Sequence, residues 1–243
     1  MNALTPMSEA TAVLSDRPVL PDHPLFAGLT RSDAEIIAAT LVPHVFKDEE
    51  IIRFDGTPDQ LIGIVRSGAV AHDIRAADKI TTVGLHLAGD LLSHSGPRTA
   101  SVMAVAVDRT EILGCTMQEF NALLARFPRL QLNYLDLVTA ELQATRDWYT
   151  LLGRKTATER VATLILRLSR QPRAPEDPVI DLLLTRERIG SLLGIKMETV
   201  SRQIRAFAKA GVIALFSPTK IAVLDPTALV DATGDIWREN AAL

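Results

Sequence analysis

The sequence predicts an α+β chain in three successive parts: a β-rich half, one long helix, and a helix-turn-helix that carries a hairpin wing. Three observations carry that expectation. Short apolar runs alternate with turn residues between positions 42 and 114. A helical apolar pattern then continues across residues 128–153. Residues 184–215 place Gly194 between two amphipathic helical segments.

The β half is led in by a short helix over residues 31–41, after the start signal Thr30-Arg31-Ser32-Asp33. Apolar runs follow at 42–46, 50–53, 61–66, 69–74, 81–87, 101–106 and 110–114. The pairs Asp55-Gly56, Ser67-Gly68, Gly89-Asp90 and Gly96-Pro97 are expected to supply the turns. Short strands at such regular spacing suggest a barrel or a sandwich.

Residues 117–125 read as one short helix, and Pro128 suits the first turn of the next. Beyond it Leu130, Tyr134, Leu137, Leu142 and Trp148 mark an apolar side. A helix of roughly 25 residues is ~37 Å long, and its large side chains point to a seam between two subunits. Glu141 is expected on that seam, where a buried acid is costly unless paired.

In the last part Thr185 can cap the first helix, with Glu187 in its first turn. Ile189, Leu192 and Leu193 give that helix its apolar side, and Gly194 stands where the chain must reverse. In the second helix Val200, Ile204 and Phe207 recur at helical spacing, which leaves Glu198, Ser201, Arg202 and Arg205 outside. A carboxylate can accept from cytosine N4, an arginine can fork onto guanine O6 and N7, and a small hydroxyl permits close approach to a base edge. Two apolar stretches, 211–216 and 220–224, flank Ser217-Pro218-Thr219 and read as a wing.

A charged outer face is usually only solvated, so the charge distribution matters. Residues 1–152 hold 12 Lys and Arg against 19 Asp and Glu, a net of −7, whereas residues 153–220 hold 13 against 6, a net of +7. A basic module on an acidic body is the asymmetry expected when one part meets phosphate and the other does not. With 243 residues there is room for proper cores, and no apolar run approaches the ~18 residues of a membrane helix. Residues 1–22 lack a basic start and an apolar core, so a flexible N-terminal segment is expected rather than a secretory signal. The single cysteine fits a reducing cytoplasm, the expected location.

The string Thr185-Arg186-x-x-Ile189-Gly190-x-x-Leu193-Gly194, followed by Glu198-Thr199-Val200-Ser201-Arg202, closely resembles the C-terminal domain of the CRP/FNR family of bacterial transcription regulators. Within that family Glu-x-x-Ser-Arg is the FNR-type signature, and the CRP type has glycine where Ser201 stands. The segment from His23 to Leu29 and the strand-glycine-strand around Gly68 resemble the family's cyclic-nucleotide-type β-roll. The resemblance implies a β-roll sensor at 23–127, a dimerisation helix at 128–153 and a winged helix-turn-helix at 154–243. It further implies base contacts from Glu198, Ser201 and Arg202, and phosphate contacts from Thr185 and Thr199, to which Arg186, Gln203 and Arg205 are added as candidates. The partners implied are double-stranded DNA at a two-fold site close to TTGAT-N4-ATCAA, a second copy of the chain, and RNA polymerase, with activation of transcription as the expected outcome.

The trigger is left open by the residues. Cyclic-nucleotide-binding relatives carry a ribose-binding glutamate, but here Gly89-Asp90 is followed by Leu91-Leu92-Ser93-His94, with a shortened connection to Arg98-Thr99-Ala100. One cysteine, Cys115, cannot supply the four thiolates of an iron–sulfur cluster, and its apolar neighbours favour an inert buried thiol. A FixK-type member without a cofactor is one reading. A haem-dependent, nitric-oxide-responsive member is another, with His23, His44, His72, His86 and His94 as the inventory of axial ligands. A β-roll that binds a small molecule without touching DNA is the alternative from another class. No catalytic triad, His-Glu-x-x-His, Walker loop or paired carboxylates suggest an enzyme.

Overall fold

The computed structural model describes residues 22–52, 60–76, 79–93, 102–171 and 178–235. A 3-10 turn at Pro24–Phe26 leads to helix α1 (Arg31–Thr40), whose first turn is closed by Thr30 Oγ1 accepting from Asp33 N–H at 3.1 Å. The β half is a six-stranded antiparallel sheet in which β1 (Val42–Phe46), β6 (Val102–Thr116), β3 (Leu61–Ala76) and β4 (Lys79–Leu87) run side by side. The two-residue strands β2 (Ile51–Ile52) and β5 (Leu91–Leu92) pair with β6 and β3.

Runs expected as separate strands fuse. Residues 61–66 and 69–74 belong to one strand, and Ser67-Gly68 is a bulge in it rather than a turn. Gly68 has φ +75°, and Thr110 Oγ1 holds the irregularity by accepting from Ala69 N–H at 3.3 Å and donating to Ala69 O at 2.9 Å. An extra residue bends the strand and lets the sheet curl. Of the other turn signals, Asp55-Gly56 and Gly96-Pro97 lie outside the described residues, as do Arg53, His94, Arg98-Thr99-Ala100 and residues 1–21.

Helix α2 (Met117–Arg126) opens on a capping box between Thr116 and Glu119, and α3 (Pro128–Arg154) follows with Pro128 in its first turn. Helix α3 turns part of the expected seam into the protomer's own core. Leu130 is 0% exposed in the protomer's own core, Tyr134 meets Phe120 edge-on at 5.1 Å, and Leu137 packs beside them. Glu141 also turns inward: Ser93 Oγ donates to its Oε2 at 3.2 Å, and its Oε1 lies 3.6 Å from His86 Nε2. Trp148 packs on the core shared with the C-terminal part. Of the six expected seam residues only Leu142 stands out, at 51% exposed, in a stripe with Leu132, Leu135, Val138 and Tyr149. The helix is apolar on two faces, and the larger side chains fill the one turned to its own protomer.

The C-terminal part comprises α4 (Ala157–Ser169), β7 (Val179–Asp181), α5 (Arg186–Leu193), α6 (Met197–Lys209), β8 (Ile213–Leu215), β9 (Lys220–Val223) and α7 (Pro226–Asp231). The wing is a three-stranded sheet of order β7-β9-β8. Sequence reading left out α4, although Thr156 and Glu159 form a capping box ahead of Val161, Leu164, Ile165 and Leu168. This part is docked on the β-roll. Ala69, Ala71, Leu85, Leu87 and Val107 of the roll share one apolar cluster with Leu164, Leu168 and Leu192. Ser191 Oγ accepts from Thr82 N–H at 2.9 Å, and Arg188 Nη2 reaches Asp73 at 3.0 Å and Glu49 at 2.9 Å.

Candidate nucleic-acid interface

Helix α5 begins where Thr185 Oγ1 accepts from Arg188 N–H at 3.2 Å, satisfying one of the donors a helix start leaves open. It ends at Gly194, which at φ +63° is left-handed, as a residue without a Cβ allows. The turn is tight enough that Ile195 N–H bonds Gly190 O at 2.9 Å, and a Cβ on Gly190 would meet Ile195 O at 2.7 Å. Any larger residue there would push the two helices apart.

Helix α6 buries Val200, Ile204 and Phe207 against α4 and α5. Its other side carries Glu198, Arg202 and Arg205 exposed, with Ser201 half-buried between them. Thr199 Oγ1 accepts from Arg202 Nη2 at 3.4 Å, so its own hydroxyl proton stays available to an acceptor. Gln203 Oε1 accepts from Thr158 Oγ1 of α4 at 2.9 Å, which leaves the amide N–H groups as its free donors.

Arg186 and Arg205 form a cationic pair at the start of α5. Arg186 is half-buried, its Nη1 has no hydrogen-bond partner, and burial together with the Arg205 charge lowers its pKa. Two guanidiniums that repel each other make an arrangement that an anion beside the exposed Arg205 would relieve. The eight predicted contact residues thus belong to two neighbouring stretches of one motif. Sequence reading did not single out Thr158, Arg160 or Arg188, whose partners are distant in sequence or are backbone carbonyls.

His23, His72 and His86 make contacts within the fold. His23 Nδ1 accepts from Leu25 N–H at 3.1 Å while its Nε2 lies 3.0 Å from Gly89 O. The His72 and His86 rings lie 4.7 Å apart between centroids, tilted by 43°, and burial pushes both down to about 4, helped at His72 by His86 and at His86 by Arg167. His44 Nε2 is buried without a hydrogen-bond partner among the described residues, and His94 lies outside them. Cys115 is buried, and its thiol is pushed up to about 12 by burial and by Glu119. No helix among the described residues is long and apolar enough to cross a membrane.

Residues 159–232 match the Crp-like helix-turn-helix domain family. The chain is 35% identical over 161 residues to the transcriptional activator protein FnrL of Cereibacter sphaeroides, a match covering 63% of this chain and 64% of that one, just under two thirds. It is 31% identical over 172 residues to the transcriptional activator protein anr of Pseudomonas aeruginosa, covering 69% of this chain and 70% of that one. Among solved structures, FixK2 from Bradyrhizobium japonicum superposes with a TM-score of 0.71 at 25% identity, over 79% of this chain and 96% of that chain. A CooA mutant from Carboxydothermus hydrogenoformans shares the fold, with a TM-score of 0.62 at 22% identity over 81% and 89% of the two chains. With the helix-turn-helix, the curled β-sheet and the long connecting helix all in place, the chain belongs to the CRP/FNR family of transcription regulators.

Proposed function

We propose that the protein is a sequence-specific transcription activator that acts as a homodimer on a palindromic TTGAT-N4-ATCAA-like site. The observation that carries this is the outer row of α6, where Glu198, Ser201 and Arg202 present one carboxylate, one small hydroxyl and one guanidinium over less than two turns. That donor and acceptor set suits cytosine and guanine edges. Thr185, Arg186, Thr199, Gln203 and Arg205 surround it with donors for phosphate oxygens. The exposed apolar stripe of α3 is the proposed seam with the second copy, and two-fold symmetry is what a palindrome requires. In this reading residues 23–127 sense, 128–153 dimerise and 154–243 read DNA. RNA polymerase is the partner of the activator, by analogy with relatives named as activators, and the targets we propose are genes of low-oxygen or nitrogen-oxide metabolism.

We advance the cofactor-free form of this reading. A haem ligand needs a ring nitrogen free to bind iron, and those of His23 already meet Leu25 N–H and Gly89 O, while Nε2 of His86 lies beside the Glu141 carboxylate. The deciding experiment is titration of duplexes carrying paired TTGAT half-sites at several salt concentrations. Tight binding that a scrambled duplex does not share supports the reading, and equal binding to both overturns it. Arg202→Ala is expected to cost about 1–3 kcal/mol and to relax the preference at the guanine position.

A further inference from the structure

We infer that Arg160 is a positioning residue that fixes the angle between the long helix and the reading head, and thereby the half-site spacing the protein accepts. The inference rests on the proposed paired-site reading. Arg160 lies in the first turns of α4, yet its guanidinium serves two other helices. Its Nη2 donates to Leu152 O at 2.7 Å and its Nε to Lys155 O at 2.9 Å, both at the C-terminal end of α3. Its Nη1 donates to Leu193 O at 2.8 Å, the last residue of α5. Gly194, in the turn of the motif, sits directly on it: a Cβ there would lie 3.5 Å from Nη1.

Electrostatics explains the choice of side chain. The last carbonyls of a helix have no partner within it, and they form the negative end of its dipole. Here two such ends converge, and one cation satisfies both. For α4 itself the placement is unfavourable, because a positive charge in the first turns opposes that helix's dipole. The cation is therefore explained by its contacts with α3 and α5 rather than by its own helix. Arginine suits the task because its rigid planar fork reaches three acceptors at fixed angles, whereas lysine is a flexible point charge.

The consequence for DNA is geometric. Helix α3 carries the proposed seam and so the two-fold axis, while α5 and α6 are held together across the tight turn at Gly190 and Gly194. A change in the α3–α5 angle would swing both recognition helices relative to the axis. Each added base pair moves a half-site by roughly 3.4 Å and rotates it by about a tenth of a turn, so a rigid angle selects one spacing and a loose one tolerates several.

The test uses the full-length protein with two TTGAT half-sites separated by three, four, five or six base pairs, and with the guanine of each half-site replaced. Wild type is expected to favour the four-base-pair spacer. Arg160→Ala should reduce that spacing preference by about tenfold, the equivalent of one lost charged hydrogen bond, while leaving the guanine preference at its wild-type ratio. Arg160→Lys, which keeps the charge without the fork, should fall between them. It also decides the matter if the alanine variant does not fold. An unchanged spacing profile overturns the inference. So does loss of spacing and guanine discrimination in equal proportion, because that marks damage to the head itself. A wild-type protein indifferent to spacing would remove the paired-site reading and this inference with it, whereas a selective wild type with an equally selective variant removes only the inference.

Discussion

At the scale of single residues, the contact between the roll and the head includes one buried charge pair beside its apolar cluster. Asp73 is almost wholly buried and accepts from Thr82 Oγ1 at 2.7 Å and from Arg188 at 3.0 Å, while Arg188 also holds Glu49, whose side chain is 62% exposed. Breaking a buried pair strands the remaining charge, so Asp73→Ala should destabilise the fold by about 3–5 kcal/mol. Glu49→Ala should cost less than about 1 kcal/mol, because water screens an exposed pair. Urea unfolding of the two variants checks the contrast; equal losses would refute it. The neighbouring His72 and His86 set a pH dependence. Each has a folded pKa of about 4, below the ordinary 6.5, so the unfolded chain takes up protons first as the pH falls. Their contribution is complete above about pH 6.5 and is lost progressively down to about pH 4. Substituting both by glutamine should flatten the melting temperature across that window, and an unchanged slope would show that these rings do not set it. Thr185, Gly194 and the outward row of α6 were legible in the sequence because caps, turns and helical spacing are local. Arg188 was not, since its partner Asp73 lies 115 positions away.

At the scale of elements, α3 shows how one apolar pattern can serve more than one neighbour. Its apolar residues announce a long helix, and a 27-residue helix is there. Period alone cannot say which of two apolar faces meets the protomer's own sheet. Leu130, Tyr134 and Leu137 do so, and Leu132, Leu135, Val138, Leu142 and Tyr149 face outward. The two faces make opposite predictions. Leu130→Ala leaves a cavity in a filled core and should cost about 2–5 kcal/mol in thermal or urea unfolding. Leu135→Glu alters a side chain 59% exposed, so protomer stability should be little changed. It should instead shift sedimentation from dimer to monomer at micromolar concentration, and a dimer of undiminished affinity would place the seam elsewhere. The sheet teaches a related lesson. Ser67-Gly68 has the composition of a turn, but long-range pairing of β3 with β6 carries the strand through it as a bulge.

At the scale of the whole molecule, the sequence's opposed charges become a spatial arrangement. The −7 of residues 1–152 lies largely in the roll and α3, and the +7 of residues 153–220 in the part bearing the motif. Where the two meet, Arg188 and Arg167 are turned inward onto Asp73, Glu49 and Asp90. Cations committed to the roll cannot also neutralise phosphate, so the total basic count overstates the DNA footprint. Arg186 and Arg205, whose charges face each other, are the pair that phosphate would relieve. Counterion release turns this distinction into a measurable slope, because each phosphate neutralised contributes about −0.9 to the dependence of log K on log salt for duplex DNA. Arg205→Ala removes one contact per protomer and should reduce the slope of a dimer by about 2, with weaker binding to every sequence in similar proportion. Arg31→Ala, on an exposed helix of the roll where the side chain bonds only Glu35 within the described structure, should leave the slope unchanged. If both substitutions shifted the slope equally, DNA would be following the protein's net charge. A shift confined to Arg205 would place the phosphate contacts on the helix-turn-helix, where an acidic protein can still present a cationic face.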